Sequence, residues 1–267
     1  MGYVEFGRTG LRVSRLSVGT GTHGWGHHSE QTSLGLDGLA DLLRLAYDRG
    51  VNFWDSADQY GSHPHIARAL ESIPRDRVVI ATKTNAHSAR QVTKDIERFL
   101  RELNTDVLDI VLLHYQTQAK WPERSSDAME ALSRAVAQGK VRAVGVSCHG
   151  LGALNAAAET DWAQVVLARI NYAGVNMDGK PSQVAPLLER LYAAGKAVYG
   201  MKVLGCGRLA GEARTAIEYV FQLGTVHAIT IGTSSREHLD RNAALVEELA
   251  PRYPLRTSAP GPGAIPS

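Results

Sequence analysis

Cysteine is nearly absent from this chain. Cys148 and Cys206 are two in 267 residues, with no C-x-x-C pair and no spacing suited to zinc or an iron–sulfur cluster, so no structural metal is expected. An excess of charge of one sign is missing too. The 29 basic and 27 acidic residues leave a net charge of +2, and no Lys/Arg run marks a nucleic-acid or membrane footprint. No apolar run is long enough to span a bilayer, and the opening MGYVEFGRTG has no apolar stretch of signal-peptide length. The expectation is a folded protein of the cytoplasm acting on a small molecule, with neither nucleic acid nor membrane as partner. Oligomeric state is left open.

What is present supports a large core, with 44% hydrophobic and 21% charged residues, close to the average for globular chains. Ten histidines include the cluster HGWGHH and the pair His63 and His65. Gly-rich neighbours and the lack of a matching carboxylate pattern read these as surface loops rather than metal ligands.

From Leu16 to Ala250 the chain alternates short β-branched or apolar runs with amphipathic segments. The predicted strands are RLSVGT, VNFWD, RVVIATK, VLDIVLLH, VRAVGVS, AQVVLARI, KAVYGM and VHAITIG. Between them, DGLADLLRLAYDRG places Leu39, Leu42, Leu43 and Ala46 on one helical face, with Gly50 set to end the helix. Eight β/α units with right-handed crossovers close into a TIM (β/α)8 barrel, an α/β fold. The rival, a doubly wound open sheet, would more often carry G-x-G-x-x-G after its first strand, and GTGTHGWG lacks that register. Ahead of the barrel, YVEFGRTGLRVS reads as an N-terminal β-hairpin plugging the barrel bottom. One domain over residues 1–250 and a mobile Pro/Gly-rich tail over 251–267 are expected.

Barrel enzymes place their chemistry at the C-terminal ends of the strands. In NFWDSADQYG, Asp55 ends the second strand and Tyr60 lies in the loop beyond it, while Lys83 and His114 end the third and fourth. Each has a plain structural use as a turn, snorkelling or core residue. Together they would crowd one mouth. A phenol with a pKa of about 10 is a poor proton donor at neutral pH unless its anion is favoured. A cation about 4 Å away contributes roughly 4 kcal/mol at an effective dielectric of about 20, which would lower the Tyr60 pKa by up to about three units before Asp55 offsets part of it.

Taken in order, EFGRTGLRVSRLSVGTGT, FWDSADQYG, VVIATKT, LDIVLLH and VRAVGVS resemble the aldo-keto reductases over nearly the whole chain. The resemblance implies NAD(P)H-dependent reduction of an aldehyde or ketone, or the reverse alcohol oxidation. Tyr60 would be the proton donor, Lys83 would tune it, Asp55 would hold Lys83, and His114 would orient the substrate oxygen. Thr22, Ser147, Cys148, Arg169, Met201, Lys202, Gly232, Thr233, Ser234, Arg236 and Asn242 fall where the family meets its cofactor.

Three of these depart from the family pattern. Cys148 stands where an Asn is common, Arg169 where a Gln is common, and Met201 where an aromatic stacks on the nicotinamide. Arg169 is open to three uses: the cofactor carboxamide, an anionic substrate, or a structural carboxylate. In IGTSSREHLDRN, Ser234 and Glu237 read as a capping box opening the last helix, whose N-terminus suits a phosphate. The usual Lys and Arg align with Gly232 and His238, which leaves Arg236 and Arg241 as replacement cations for the 2′-phosphate. NADPH is expected over NADH. His23, Trp25, Tyr115 and Trp121 are candidates for an aromatic mouth. Two rival functions stand beside the reductase: a Schiff-base lyase using Lys83 or Lys202, and a non-catalytic cofactor-binding regulator on the same scaffold.

Overall fold

Alternation of side chains along each strand decides which residues enter the barrel and which meet the helices. The computed structural model describes residues 1–257. It opens on an antiparallel hairpin, β1 (Tyr3–Glu5) and β2 (Arg12–Ser14), and continues through β3 (Leu16–Gly19), α1 (Gly35–Asp48), β4 (Phe53–Asp55), α2 (His63–Leu70), β5 (Val79–Thr84), α3 (Ala89–Glu102) and β6 (Leu108–Gln116). There follow α4 (Trp121–Arg124), α5 (Ser126–Ala137), β7 (Val141–Cys148), α6 (Leu151–Glu159), β8 (Val165–Arg169), α7 (Pro181–Ala193), β9 (Ala197–Met201), α8 (Ala213–Gln222), β10 (Ala228–Gly232) and α9 (Arg236–Leu249). Strands β3 to β10 pair in parallel sequence and β10 closes on β3. The closed eight-stranded barrel and its separate hairpin match the expected fold.

Two apolar clusters follow from the alternation. Phe53, Val79, Ala81, Ile110, Leu112, Ala143, Val165, Leu167, Ala197, Tyr199 and Ala228 fill the barrel. Their neighbours, such as Trp54, Ile80, Val111, Val144, Val166, Val198 and Ile229, pack on the helices. The hairpin contributes Phe6, Leu11 and Val13 to the inner cluster. The Phe6 ring lies 5.3 Å from Phe53 and 5.9 Å from Tyr199, so it plugs the bottom and forces all access to the opposite mouth. Leu39, Leu42, Leu43 and Ala46 are buried on α1, which ends before Gly50 in the left-handed region at φ +80°.

The expected mobile tail is corrected in its first part. Residues 251–257 are held to the barrel: Arg15 donates to the Tyr253 carbonyl at 2.6 Å, the Tyr253 hydroxyl to Glu218 at 2.6 Å, and the Arg256 amide to the Gly224 carbonyl at 2.9 Å. Residues 258–267 of that tail lie outside the described residues. Among the described residues, no helix is long and apolar enough to cross a membrane.

Candidate active site

Asp55 and Lys83 take inward positions at the ends of β4 and β5, one layer above the apolar filling. Lys83 is fully buried and donates to Asp55 Oδ1 at 2.8 Å and to the Ser56 carbonyl at 2.6 Å. From below, the Tyr199 hydroxyl donates to the same Oδ1 at 2.9 Å. Burial lowers the Lys83 pKa, and Asp55 opposes that shift. A buried cation is tolerated here because its carboxylate is itself buried and doubly bonded. Tyr199 was not among the sequence candidates, although its alternation in KAVYGM places it facing inward.

Tyr60 reaches the mouth on a short turn, 58–60, closed by Gly61 at φ +66°. A Cβ on Gly61 would lie 2.1 Å from the His27 carbonyl oxygen, so the turn requires glycine. Gly21 and Gly24 pack on the Tyr60 ring, where a Cβ would meet ring carbons at 2.1 and 2.3 Å. Behind the turn, Arg98 donates to Asp58 at 2.6 Å and to Glu102 at 3.1 Å. His63 joins Glu102 and Thr82, each at 2.7 Å. His63 is therefore a buried residue opening α2 and bracing this turn, and not a surface-loop residue as the sequence suggested. The reading of HGWGHH as an exposed loop matches His23, His27 and His28.

The Tyr60 hydroxyl lies 3.5 Å from His114 Nε2, with the two rings edge to face. Lys83 Nζ stands 5.2 Å from the Tyr60 ring centroid. The expected lowering of the phenol pKa is corrected: burial, aided by the Asp55 carboxylate, raises it. Lys83 has its charge largely matched by Asp55, so it does not offset the desolvation. Burial and the neighbouring Lys83 push His114 down to about 3, leaving a neutral imidazole.

Across the mouth a second arrangement forms. Arg169, at the end of β8, donates to Asp178 at 2.7 Å and to His149 Nδ1 at 2.6 Å. A guanidinium can only donate, so His149 carries its proton on Nε2, which faces Ser147 Oγ at 3.0 Å. Burial, then Arg169, pushes His149 down to about 2. Of the three uses open to Arg169, the structural carboxylate is the one its contacts satisfy. Cys148 is corrected as a mouth residue. It follows the inward Ser147, so its side chain falls on the other face of β7 and packs in the outer layer, and burial raises its thiol pKa.

Two clefts open from this centre, and Tyr60 lines both. The first runs from Asp55 and Tyr60 past Gly19, Met201 and Lys202 to Ser234, His238, Arg241 and Asn242. Thr22 lines it, tied to Gln31 by bonds of 2.8 and 3.0 Å. Gly232 also lines it, and a Cβ there would lie 1.9 Å from Thr22 Oγ1. Thr233 turns away, its hydroxyl on the Ile231 carbonyl.

The predicted capping box shifts by one residue. Ser235, with extended backbone, is the cap, accepting from the His238 amide at 3.2 Å, which leaves Ser234 in the cleft wall. Arg236 is 76% exposed and leans on Asp240 at 3.6 Å, while Arg241 lines the cleft. Two buried polar atoms on the cleft lining, Thr230 Oγ1 and Asn242 Oδ1, have no partner. Missing Cβ atoms and unpaired buried acceptors are what an extended dinucleotide needs, so these residues fit a nicotinamide cofactor.

The second cleft, about 920 Å³, is lined by His23, Trp25, Tyr60, His114, Tyr115, Trp121, Arg124, His149, Arg169 and Lys202 among others. Trp25 and Tyr115 are exposed, whereas Trp121 is buried in the cleft wall with its indole N–H on the Ala153 carbonyl at 3.1 Å. His149, Asp178 and Arg124 were missed in the sequence. His149 shares the inward alternation of Ser147 and could have been found from it; Asp178 sits in an irregular loop that offers no such signal.

Known proteins agree with this architecture. Residues 15–218 match the model of the aldo/keto reductase family. The aldo-keto reductase YhdN of Bacillus subtilis is 32% identical over 165 residues, covering 55% of this chain but 47% of that protein, so the chain spans about half the length of this relative. L-galactose dehydrogenase of Arabidopsis thaliana is 24% identical over 287 residues, covering 91% and 87%. The crystal structure of Pseudomonas aeruginosa PA4992, assigned to the aldo-keto reductases, superposes with a TM-score of 0.76 at 25% identity, covering 92% of this chain and 94% of that one. The chain belongs to the aldo/keto reductase family.

Proposed function

We propose that this member of the aldo/keto reductase family reduces the carbonyl group of a small aldehyde or ketone, with NADPH as hydride source and Tyr60 as proton donor. The observation that carries this reading is that Tyr60, the phenol 3.5 Å from His114, lines both clefts, as does Lys202 among the ionisable residues described. The first cleft would hold a nicotinamide, which when bound would supply hydride to a carbonyl in the second. Met201, Thr22, Gly232, Ser234, Arg241 and Asn242 are the residues to hold it.

The protein side of the reaction is proton management. Burial and Asp55 keep the phenol protonated, which is the form a donor needs before the substrate oxygen gains charge. His114, neutral and 3.5 Å from the hydroxyl, orients that oxygen without competing for the proton. Lys83, its ammonium 5.2 Å from the Tyr60 ring centroid, would stabilise the phenolate left behind, and Asp55 with Tyr199 keeps Lys83 in place. Lys83 is sealed beneath Tyr60 with two hydrogen bonds, which gives a Schiff-base role little support.

The test is Tyr60→Phe. It should lower kcat about 100-fold or more with cofactor affinity nearly unchanged; wild-type turnover in that variant would remove Tyr60 from the mechanism. Tight NADPH binding with no reduction of any aldehyde or ketone by the wild-type chain would instead favour a regulatory cofactor binder. Arg241 and His238 at the far end of the cleft would be the residues to meet a 2′-phosphate, in place of the outward Arg236. A charge-assisted hydrogen bond gives NADPH a preference of about 10- to 150-fold over NADH. Fluorescence titration of Arg241→Ala should show that preference lost, and equal dissociation constants for the two cofactors in the wild type would refute it.

A further inference from the structure

We infer that the carbonyl substrate carries an anionic group, a carboxylate in the first instance, and that Lys202 is the residue that selects it. The inference rests on the carbonyl-reductase reading and adds the class of substrate to it.

The second cleft is lined by the side chains of Arg124, Arg169 and Lys202, and by no Asp or Glu among the described residues. Two of these cations are already engaged. Arg169 is matched by Asp178 at 2.7 Å, and Arg124 donates to Gln118 at 2.5 Å. Lys202 is a half-buried residue, and its ammonium has no hydrogen-bond or ion-pair partner within the described residues. The two acids that line the adjoining cleft are also engaged, Asp55 by Lys83 at 2.8 Å and Glu30 by His23 at 2.6 Å. An unpaired ammonium facing a cleft without carboxylates is a ready partner for a bound anion.

The backbone at this position points the same way. Lys202 sits in the left-handed region at φ +59°, a conformation strained for a non-glycine residue. Its carbonyl is pinned there by the fully buried Asn171 side chain at 3.0 Å and by the Gly205 amide at 2.8 Å. The same loop is left-handed again at Gly205, Cys206 and Gly207. The pinned backbone fixes where the Lys202 side chain leaves the loop, at the junction of the clefts, which it lines on both sides. Aromatic walls from Trp25, Tyr60 and Tyr115 would cover the rest of such a substrate.

The test compares 4-formylbenzoate with its uncharged methyl ester, using the full chain and saturating NADPH. The wild type should favour the carboxylate in kcat/KM by about tenfold or more, through KM, as a charge-assisted bond requires. Lys202→Met should bring the ratio near one and Lys202→Arg should keep most of it. The ratio is read at one cofactor concentration, so a weakened cofactor site does not imitate the result. Equal use of acid and ester by the wild type, or a ratio unchanged in Lys202→Met, overturns the inference. Failure to reduce either aldehyde overturns the underlying reductase reading instead. Should the Met variant not fold, binding of 4-(hydroxymethyl)benzoate and its amide to the wild-type NADPH complex decides the point, and equal affinities would sink it.

Discussion

The two sides of the barrel mouth are built from the same parts and behave differently. On one side stand Lys83, Asp55 and a neutral His114; on the other, Arg169, Asp178 and a neutral His149. Lys83 bonds its carboxylate and a carbonyl but not its histidine; its ammonium is 5.2 Å from the Tyr60 ring centroid, and the Tyr60 hydroxyl is 3.5 Å from the imidazole. Arg169 bonds its carboxylate and its histidine directly, and the remaining imidazole nitrogen is taken by Ser147. The first side therefore leaves a proton-bearing phenol beside an imidazole whose Nδ1 is unpaired, whereas on the second both imidazole nitrogens are taken and the atom left over is Arg169 Nε, a donor that keeps its proton. A buried ion pair becomes chemistry only where its hydrogen bonds are not all spent within the protein.

Breaking each side should separate them. Lys83→Met leaves Asp55 buried with Tyr199 as its remaining partner. It should cost about 3–5 kcal/mol in urea unfolding and lower kcat about 100-fold or more, a double loss that only the reactive side should show.

Acid sharpens the comparison, because both histidines are held neutral in the fold. Their folded pKa values, about 3 for His114 and about 2 for His149, lie below the unfolded value of about 6.5. Between those limits the unfolded chain binds protons that the folded chain does not, so stability falls as pH falls through about 6.5. Each group removes up to about 1.4 kcal/mol per pH unit until its own folded pKa is reached. His227, lowered to about 4 by burial, adds to the same slope. Urea midpoints that stay flat from pH 7 to pH 4 would show that the imidazoles are charged in the native state.

The smallest effect belongs to the saturated side. Asp178→Asn keeps the shape and removes one charge-assisted bond, for a loss of about 1–3 kcal/mol, while turnover of an uncharged aldehyde should change by no more than a few-fold. A collapse of kcat comparable to that of Lys83→Met would mean that the two sides share the proton chemistry.

Local pattern was enough for the barrel. Alternation of β-branched runs with amphipathic helices gives eight units, and parallel strands with short crossovers have few ways to close. Strand-end position likewise made Asp55, Lys83 and His114 legible, because period-two alternation fixes which face each residue takes. The same rule, applied to VSCH, separates Cys148 from Ser147 and His149. Other features depended on the folded chain. Asp178 reaches Arg169 from an irregular loop, Ser235 rather than Ser234 caps α9 because the backbone is extended at Ser235, and Arg241 rather than Arg236 faces the cleft. The sign of the Tyr60 shift was also out of reach, since it depends on how much water burial removes and on how fully Asp55 matches Lys83. Sequence by itself determined the periodicity of the chain and thus the barrel and the rim; tertiary structure decided partners and solvation, which are set by residues distant along the chain and close only once it is folded.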